Sequence, residues 1–208
     1  MNKRLVSAMP TDITIIGAGG HGKVVTDALL EMGIDNISIA DSDAALVGNY
    51  LLDKPICLLG EGLVAPSFHV AVGLNVIRSE LYQNYKHYKY ETIVSPHAKV
   101  SQHASILDGV FVAAGSVIGP SSVLGRGVIV NHGAIVDHDC RVEEFSHIAP
   151  NATLLGGVSI GKRVLVGSGS VVLPGVVIED DVIIGAGSVV TKNVKKGMTL
   201  AGNPAREM

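Results

Sequence analysis

The stretch VNHGAIVDHDC, residues 130–140, places His132 and His138 six residues apart, with Asp137 and Asp139 on either side of the second. Three chemistries suit these types. Converging imidazoles and carboxylates can ligate a metal. A neutral imidazole can take a proton near pH 7 when a carboxylate fixes its tautomer. The group can also be a solvated corner. A second stretch, GAGGHG, has the G-x-G-x-x-G spacing in Gly17, Gly19 and Gly22, after the apolar run ITIIG and before a helical pattern. In that context backbone N–H groups and a helix N-terminus face a phosphate. Asp41 follows Gly17 by 24 residues, near the usual ribose-binding distance of about 20. A tight strand–helix turn without a ligand is the plainer reading of the same motif.

What positions these residues is a repeat. From Val94 to Val190 an aliphatic residue falls at every sixth position, seventeen times without a slip. A small or β-branched residue follows four places later, as in Ala98, Ser116, Cys140 and Val194. Gly119, Gly125, Gly161, Gly167 and Gly185 follow the aliphatic position directly, where a turning chain is expected to need positive φ. Period six is the mark of a parallel β-helix. Three hexapeptides make one coil, so residues i and i+18 stack, and the prism is about 27 Å tall at roughly 4.8 Å per coil. This register sets His132 and His138 in the same slot of successive hexapeptides, pointing outward on different faces. Ligands of one metal must converge at about 2 Å, and these diverge. No metal is expected. A general base, oriented by Asp139 or Asp137, is the stronger reading, and whichever carboxylate does not reach His138 is a solvated corner.

Residues 13–92 follow other periods. Strand patterns at 13–17, 36–41 and 69–73 alternate with helical patterns at 21–33 and 75–88, which makes a small Rossmann-like parallel α/β domain. The division is 1–92 for a nucleotide-sugar-binding domain and 93–208 for the β-helix. About 80 residues hold half of a dinucleotide fold, so one nucleotide diphosphate fits better than NAD. Charged residues are 17% and the net charge is -3, against a nucleic-acid partner. No apolar run reaches the roughly 18 residues of a membrane span. The N-terminus shows no leader pattern and there are 2 cysteines, so a reducing, cytoplasmic setting is expected. His69, His87, His97 and His103 suggest no role. Arg78 either meets a phosphate or lies on its helix surface.

The segments GAGGHGKVV, AVGLNVIR, VNHGAIVDHDCRVEEFSHIAPNA and GNPAREM together resemble the nucleotide-sugar acetyltransferases of bacterial surface-glycan pathways. That group includes the bacillosamine and perosamine N-acetyltransferases and the sialic acid O-acetyltransferase-like proteins. The resemblance implies a left-handed β-helix, a homotrimer with active sites between adjacent prisms, and acetyl-CoA as co-substrate with no permanently bound cofactor. It implies His138 as catalytic base, Asp139 as the carboxylate that orients it, and Asn131, seven residues before the base, as a further catalytic residue. It places the nucleotide sugar on Gly17, Gly19, Gly20, His21, Gly22, Asp41 and Gly73. It sets His147 near the acetyl thioester and Gly156, Gly167 and Gly185 along the pantetheine groove. The expected reaction is transfer of acetyl to the amino group of a UDP- or GDP-linked 4-amino sugar. Transfer to a sugar hydroxyl, as on sialic acid, and a non-catalytic nucleotide-binding β-helix are the alternatives.

Overall fold

The computed structural model describes residues 12–60 and 66–208. The N-terminal stretch read for a leader, residues 1–11, lies outside them. The chain forms β1 (Asp12–Ile16), α1 (Gly20–Glu31), β2 (Asn36–Asp41), β3 (Tyr50–Leu51), β4 (Lys54–Leu58), β5 (Ser67–Val70), α2 (Asn75–Asn84) and β6 (Lys89–Tyr90) before the prism begins. The sheet order is β3-β4-β2-β1-β5-β6, parallel except that β3 runs against β4. In the central strand β1, Ile13, Ile15 and Ile16 are all buried, as a parallel strand covered on both faces requires. Helix α1 buries Val25, Ala28 and Leu29 against it.

Three features differ from the sequence expectation. The β3–β4 hairpin turns through Leu52 and Asp53, both left-handed at φ 46 and 64, a two-residue loop lacking the usual Asn-Gly signal. Helix α2 ends at Asn84 instead of 88, because the chain must return to pair Lys89–Tyr90 with Ser67–Phe68. The third strand correspondingly runs Ser67–Val70, not 69–73.

From Ile93–Val94 to Val189–Val190 the chain makes seventeen two-residue strands in three parallel sheets, a left-handed β-helix. Up to the last coil each strand pairs with the one 18 residues on, as in Ile129↔His147 and His147↔Leu165; Ile183–Ile184 pairs instead with Thr199–Leu200, 16 residues on. The second residue of each strand points inward; Val112, Leu124, Val136, Leu154 and Val172 are completely buried. On the first face, through Ile93, Phe111, Ile129, His147, Leu165 and Ile183, the outward residues Ile93, Phe111 and Ile129 share one core with Ile13, Ile15 and Leu29. The α/β domain is thus seated on that face. The second face runs through Val117, Ile135, Thr153, Val171 and Val189.

The corner glycines correct one expectation. Positive φ falls at every sixth residue from Gly109 to Gly187, and Ser121, Asp139, Phe145, Asn151, Arg163 and Asp181 share that slot with glycines. Gly119, Gly125, Gly161, Gly167 and Gly185 are not in it. The first four are required by close stacking: a Cβ on Gly119 would stand 2.6 Å from the His138 nitrogen, and one on Gly167 2.5 Å from the Ile184 carbonyl oxygen. Gly185 is looser, its Cβ 3.0 Å from that of Ala201.

Candidate active site

The strand Ile135–Val136 ends in the corner Asp137-His138-Asp139, which is braced from several sides. The Asp139 N–H donates to the Pro120 carbonyl at 3.0 Å, and the Gly157 N–H donates to the His138 carbonyl at 2.9 Å. The buried Ser122 hydroxyl donates to the Asp137 carbonyl at 2.5 Å and accepts the Cys140 N–H at 3.1 Å. Cys140 itself is an inward core residue. Asp139 takes the left-handed slot at φ 59, a conformation Asp tolerates better than most side chains. From there its Oδ2 lies 2.8 Å from His138 Nδ1. Asp137 instead accepts the His138 backbone N–H at 2.7 Å. Of the two carboxylates, Asp139 is therefore the one that holds the imidazole. With Nδ1–H donating to Asp139, Nε2 is the basic nitrogen. The Asp139 hydrogen bond, with the charge of Asp137 behind it, raises the His138 pKa above its ordinary value. The side chain is 56% exposed, so its basic nitrogen is accessible.

Asn131 does not join this pair. It sits one corner earlier, where its amide lies 3.1 Å from His147 Nε2 and its Oδ1 accepts the His132 N–H at 2.9 Å. His147 is held neutral, with a pKa pushed down to about 4 chiefly by burial and then by the charge of Arg78, while a hydrogen bond to the Gly73 backbone opposes the shift. With Nε2 engaged by Asn131 and a second bond to Gly73, His147 is a strut, not a free base. His132 is exposed, and among the described residues nothing marks it for a role.

The glycine loop opens a cavity of about 680 Å³ shared by both domains, lined by Gly19, Gly20, His21 and Asp41 on one side and Gly73, His147 and Leu165 on the other. The loop's glycines divide by cause. A Cβ on Gly17 (φ 114) would stand 2.8 Å from the Ala71 carbonyl oxygen, and one on Gly22 would collide with the Gly17 carbonyl. Those two are needed for the strand–helix turn. Gly19, Gly20 and Gly73 face open space, so nothing in the fold demands glycine there. Asp41 ties the loop in place, its carboxylate accepting the Ala18 N–H at 2.7 Å and the Asp43 N–H at 2.9 Å. His21 is more revealing. Its Nε2 is buried without a hydrogen-bond partner among the described residues, and burial holds the ring well below its ordinary pKa. A buried polar atom in that state costs free energy unless something binds it. It lines the cavity, with its ring 6.3 Å from that of His147.

Arg78 does neither thing expected of it. It is 1% exposed and pairs with no carboxylate among the described residues: Nε donates to the Gly127 carbonyl at 2.8 Å, and the two terminal nitrogens reach the Val72 (2.8 Å), Gly73 (3.1 Å) and Phe145 (2.6 Å) carbonyls and Asn75 Oδ1 (2.8 Å). The guanidinium rivets the cavity wall at Val72–Gly73 to two corners of the prism. No sequence signal marks this, because the acceptors are main-chain oxygens. Among the described residues no group of three or more His, Cys, Asp or Glu is gathered to hold a metal. No helix among them is long and apolar enough to cross a membrane.

Within one chain His138 and the cavity are apart. His147 lies on the first face, while His138 lies at the corner that closes the second.

Comparison with known proteins finds a family match in each part of the chain. Residues 12–85 match the PglD N-terminal domain and residues 157–192 the six-repeat bacterial transferase hexapeptide. A histidine variant of perosamine N-acetyltransferase from Caulobacter crescentus, solved with CoA and GDP-perosamine, is 34% identical over 95% of this chain and 96% of that one, with a TM-score of 0.90. The acetyltransferase domain of PglB from Neisseria gonorrhoeae FA1090, solved with acetyl coenzyme A, is 36% identical over 96% of this chain and all 100% of that one, also at 0.90. WeeI from Acinetobacter baumannii AYE shares the fold, at 24% identity and a TM-score of 0.87. A comparison with curated proteins gave no match. A glycine-loop α/β domain seated on a hexapeptide prism, at more than a third identity over nearly whole chains, places this chain in the family of hexapeptide-repeat nucleotide-sugar acetyltransferases.

Proposed function

We propose that the enzyme transfers the acetyl group of acetyl-CoA to the amino group of a UDP- or GDP-linked 4-amino sugar, with His138 as general base. The observation that carries this reading is the 2.8 Å pairing of His138 Nδ1 with Asp139, which leaves Nε2 free to take a proton. The sugar amine must be neutral to attack the thioester carbonyl. As the C–N bond forms, Nε2 of His138 accepts the amine proton. The C–S bond then breaks, and the thiolate of CoA leaves and is protonated. The nucleotide diphosphate sits on the glycine loop, where Gly19 and Gly20 leave room for it, and the sugar extends toward His21 and His147. The donor lies along the later coils, near Gly156, Gly167 and Gly185. The related perosamine enzyme, bound to CoA and GDP-perosamine, supports both substrate classes.

The separation of base and cavity supports an assembly with sites shared between copies, which we take to be a homotrimer. The second face presents Val117 and Ile135, 38% and 37% exposed, as part of an apolar stripe. Packing such a face against a second prism buries it and brings the base of one copy toward the cavity of the next. Release of free thiol from acetyl-CoA with a panel of UDP- and GDP-linked amino sugars tests the function. Release with a 4-amino sugar is the expected result. Release only with hydroxyl acceptors would make the enzyme an O-acetyltransferase, and no release with any acceptor would contradict acetyl transfer.

A further inference from the structure

We infer that Gly156 is a positioning residue for the base: its lack of a side chain lets the His138 imidazole lie against the next coil in the orientation that Asp139 holds. This rests on the reading of His138 as the base. The register Val136↔Leu154 puts Gly156 at the same corner as His138, one coil on. A Cβ on Gly156 would stand 2.6 Å from His138 Nε2 and 3.2 Å from Nδ1, and closer still to Cε1 between them. Carbon at van der Waals contact needs about 3.5 Å. The three atoms form the ring edge that carries both nitrogens.

Two features separate Gly156 from the stacking glycines. At Gly119, Gly125, Gly161 and Gly167 the nearest atom to an added Cβ belongs to the backbone of the next coil, whereas at Gly156 all three nearest atoms belong to one side chain. Gly156 also lacks the positive φ of its neighbour Gly157 (φ 71), so its backbone suits an L-residue. The fold therefore does not require glycine at 156; the orientation of the ring does. The corner cannot retreat, because the Gly156 carbonyl accepts the Gly175 N–H at 3.0 Å and the Gly157 N–H binds the His138 carbonyl at 2.9 Å. An added methyl must push the ring, which is 56% exposed and can swing into solvent without disturbing the core. Swinging separates Nδ1 from Asp139.

The test uses Gly156→Ala in the full-length chain with two independent readouts. Titration of ¹³Cε1-labelled histidines by NMR, with His138 assigned by its loss in His138→Ala, reads the ring without any turnover. The expected result is an unchanged melting temperature, a His138 pKa that falls toward its ordinary value, and turnover reduced by roughly tenfold or more. Adding Asp139→Asn to Gly156→Ala should then cost less than about twofold, since paired groups are not additive. An unchanged His138 titration would overturn the inference. So would a defect confined to KM for acetyl-CoA, which would put the methyl in the donor's path. The double variant His138→Ala/Gly156→Ala, with no ring to displace, should fold as well as His138→Ala alone; if it does not, the backbone needs the glycine and the inference fails. Retained turnover in His138→Ala would refute the base reading instead, while the titration would still decide what Gly156 does.

Discussion

Nδ1 of His138 and Oδ2 of Asp139 lie 2.8 Å apart on adjacent residues of one corner, and the second of them occupies the left-handed slot of the repeat. Adjacent side chains in extended backbone point apart; the reversal at Asp139 is what lets neighbours pair.

The pairing raises the His138 pKa, so the free base is lost at higher pH than for an ordinary histidine. Asp139→Asn should lower turnover by roughly tenfold or more and move the acidic limb of the kcat/KM profile to lower pH. Asp137→Asn keeps an oxygen for the His138 N–H and should stay within about threefold of the parent. Equal losses in both variants would contradict the assignment of Asp139.

Gly19→Ala and Gly20→Ala place a methyl in open space at the cavity, whereas Gly17→Ala and Gly22→Ala drive one into the backbone. The first pair should keep the parent melting temperature and raise KM for the nucleotide sugar by about tenfold. The cost of that is about 1.4 kcal/mol of binding. The second pair should lose stability. Thermal melts beside initial rates separate the two effects; unchanged KM in Gly19→Ala and Gly20→Ala would remove the nucleotide from the loop.

Arg78→Ala strands several buried carbonyls that share its guanidinium. Urea unfolding should show a loss of about 3–5 kcal/mol, with Arg78→Lys recovering little because an ammonium cannot span the same acceptors. A loss under about 1 kcal/mol would mean that the rivet is not needed.

Acid should weaken the fold before its carboxylates titrate. His69 and His147 have pKa values lowered from 6.5 to about 4, both chiefly by burial. Between those values the unfolded chain binds protons that the folded one refuses, so stability is full above pH 6.5 and falls as pH drops toward 4. For the fully buried His69 the loss is on the order of 3 kcal/mol. His69→Gln should flatten the dependence of unfolding free energy on pH across this window, read by urea unfolding at several pH values. An unchanged slope would contradict it.

The prism was legible residue by residue, because an inward aliphatic every six residues has no other home. The outward corner position of His138, which we propose as the base, followed from the same register. What escaped was set by main-chain geometry. Glycines such as Gly119 answer to the coil stacked above them, not to their own φ. Arg78 looked like a surface or phosphate-binding residue because its partners are carbonyls, which sequence does not display. Asn131 lies seven residues before His138, but the corner between them turns it toward His147. Asp41 kept its place at the loop, with a structural duty that spacing alone could not show.

The most direct measurement is thiol release from acetyl-CoA by His138→Ala with a 4-amino nucleotide sugar that the parent enzyme accepts. Loss of the general base should slow turnover by roughly 10²–10⁴-fold in a variant that melts with the parent, since His138 is an exposed corner residue. Undiminished turnover in that folded variant would contradict the account.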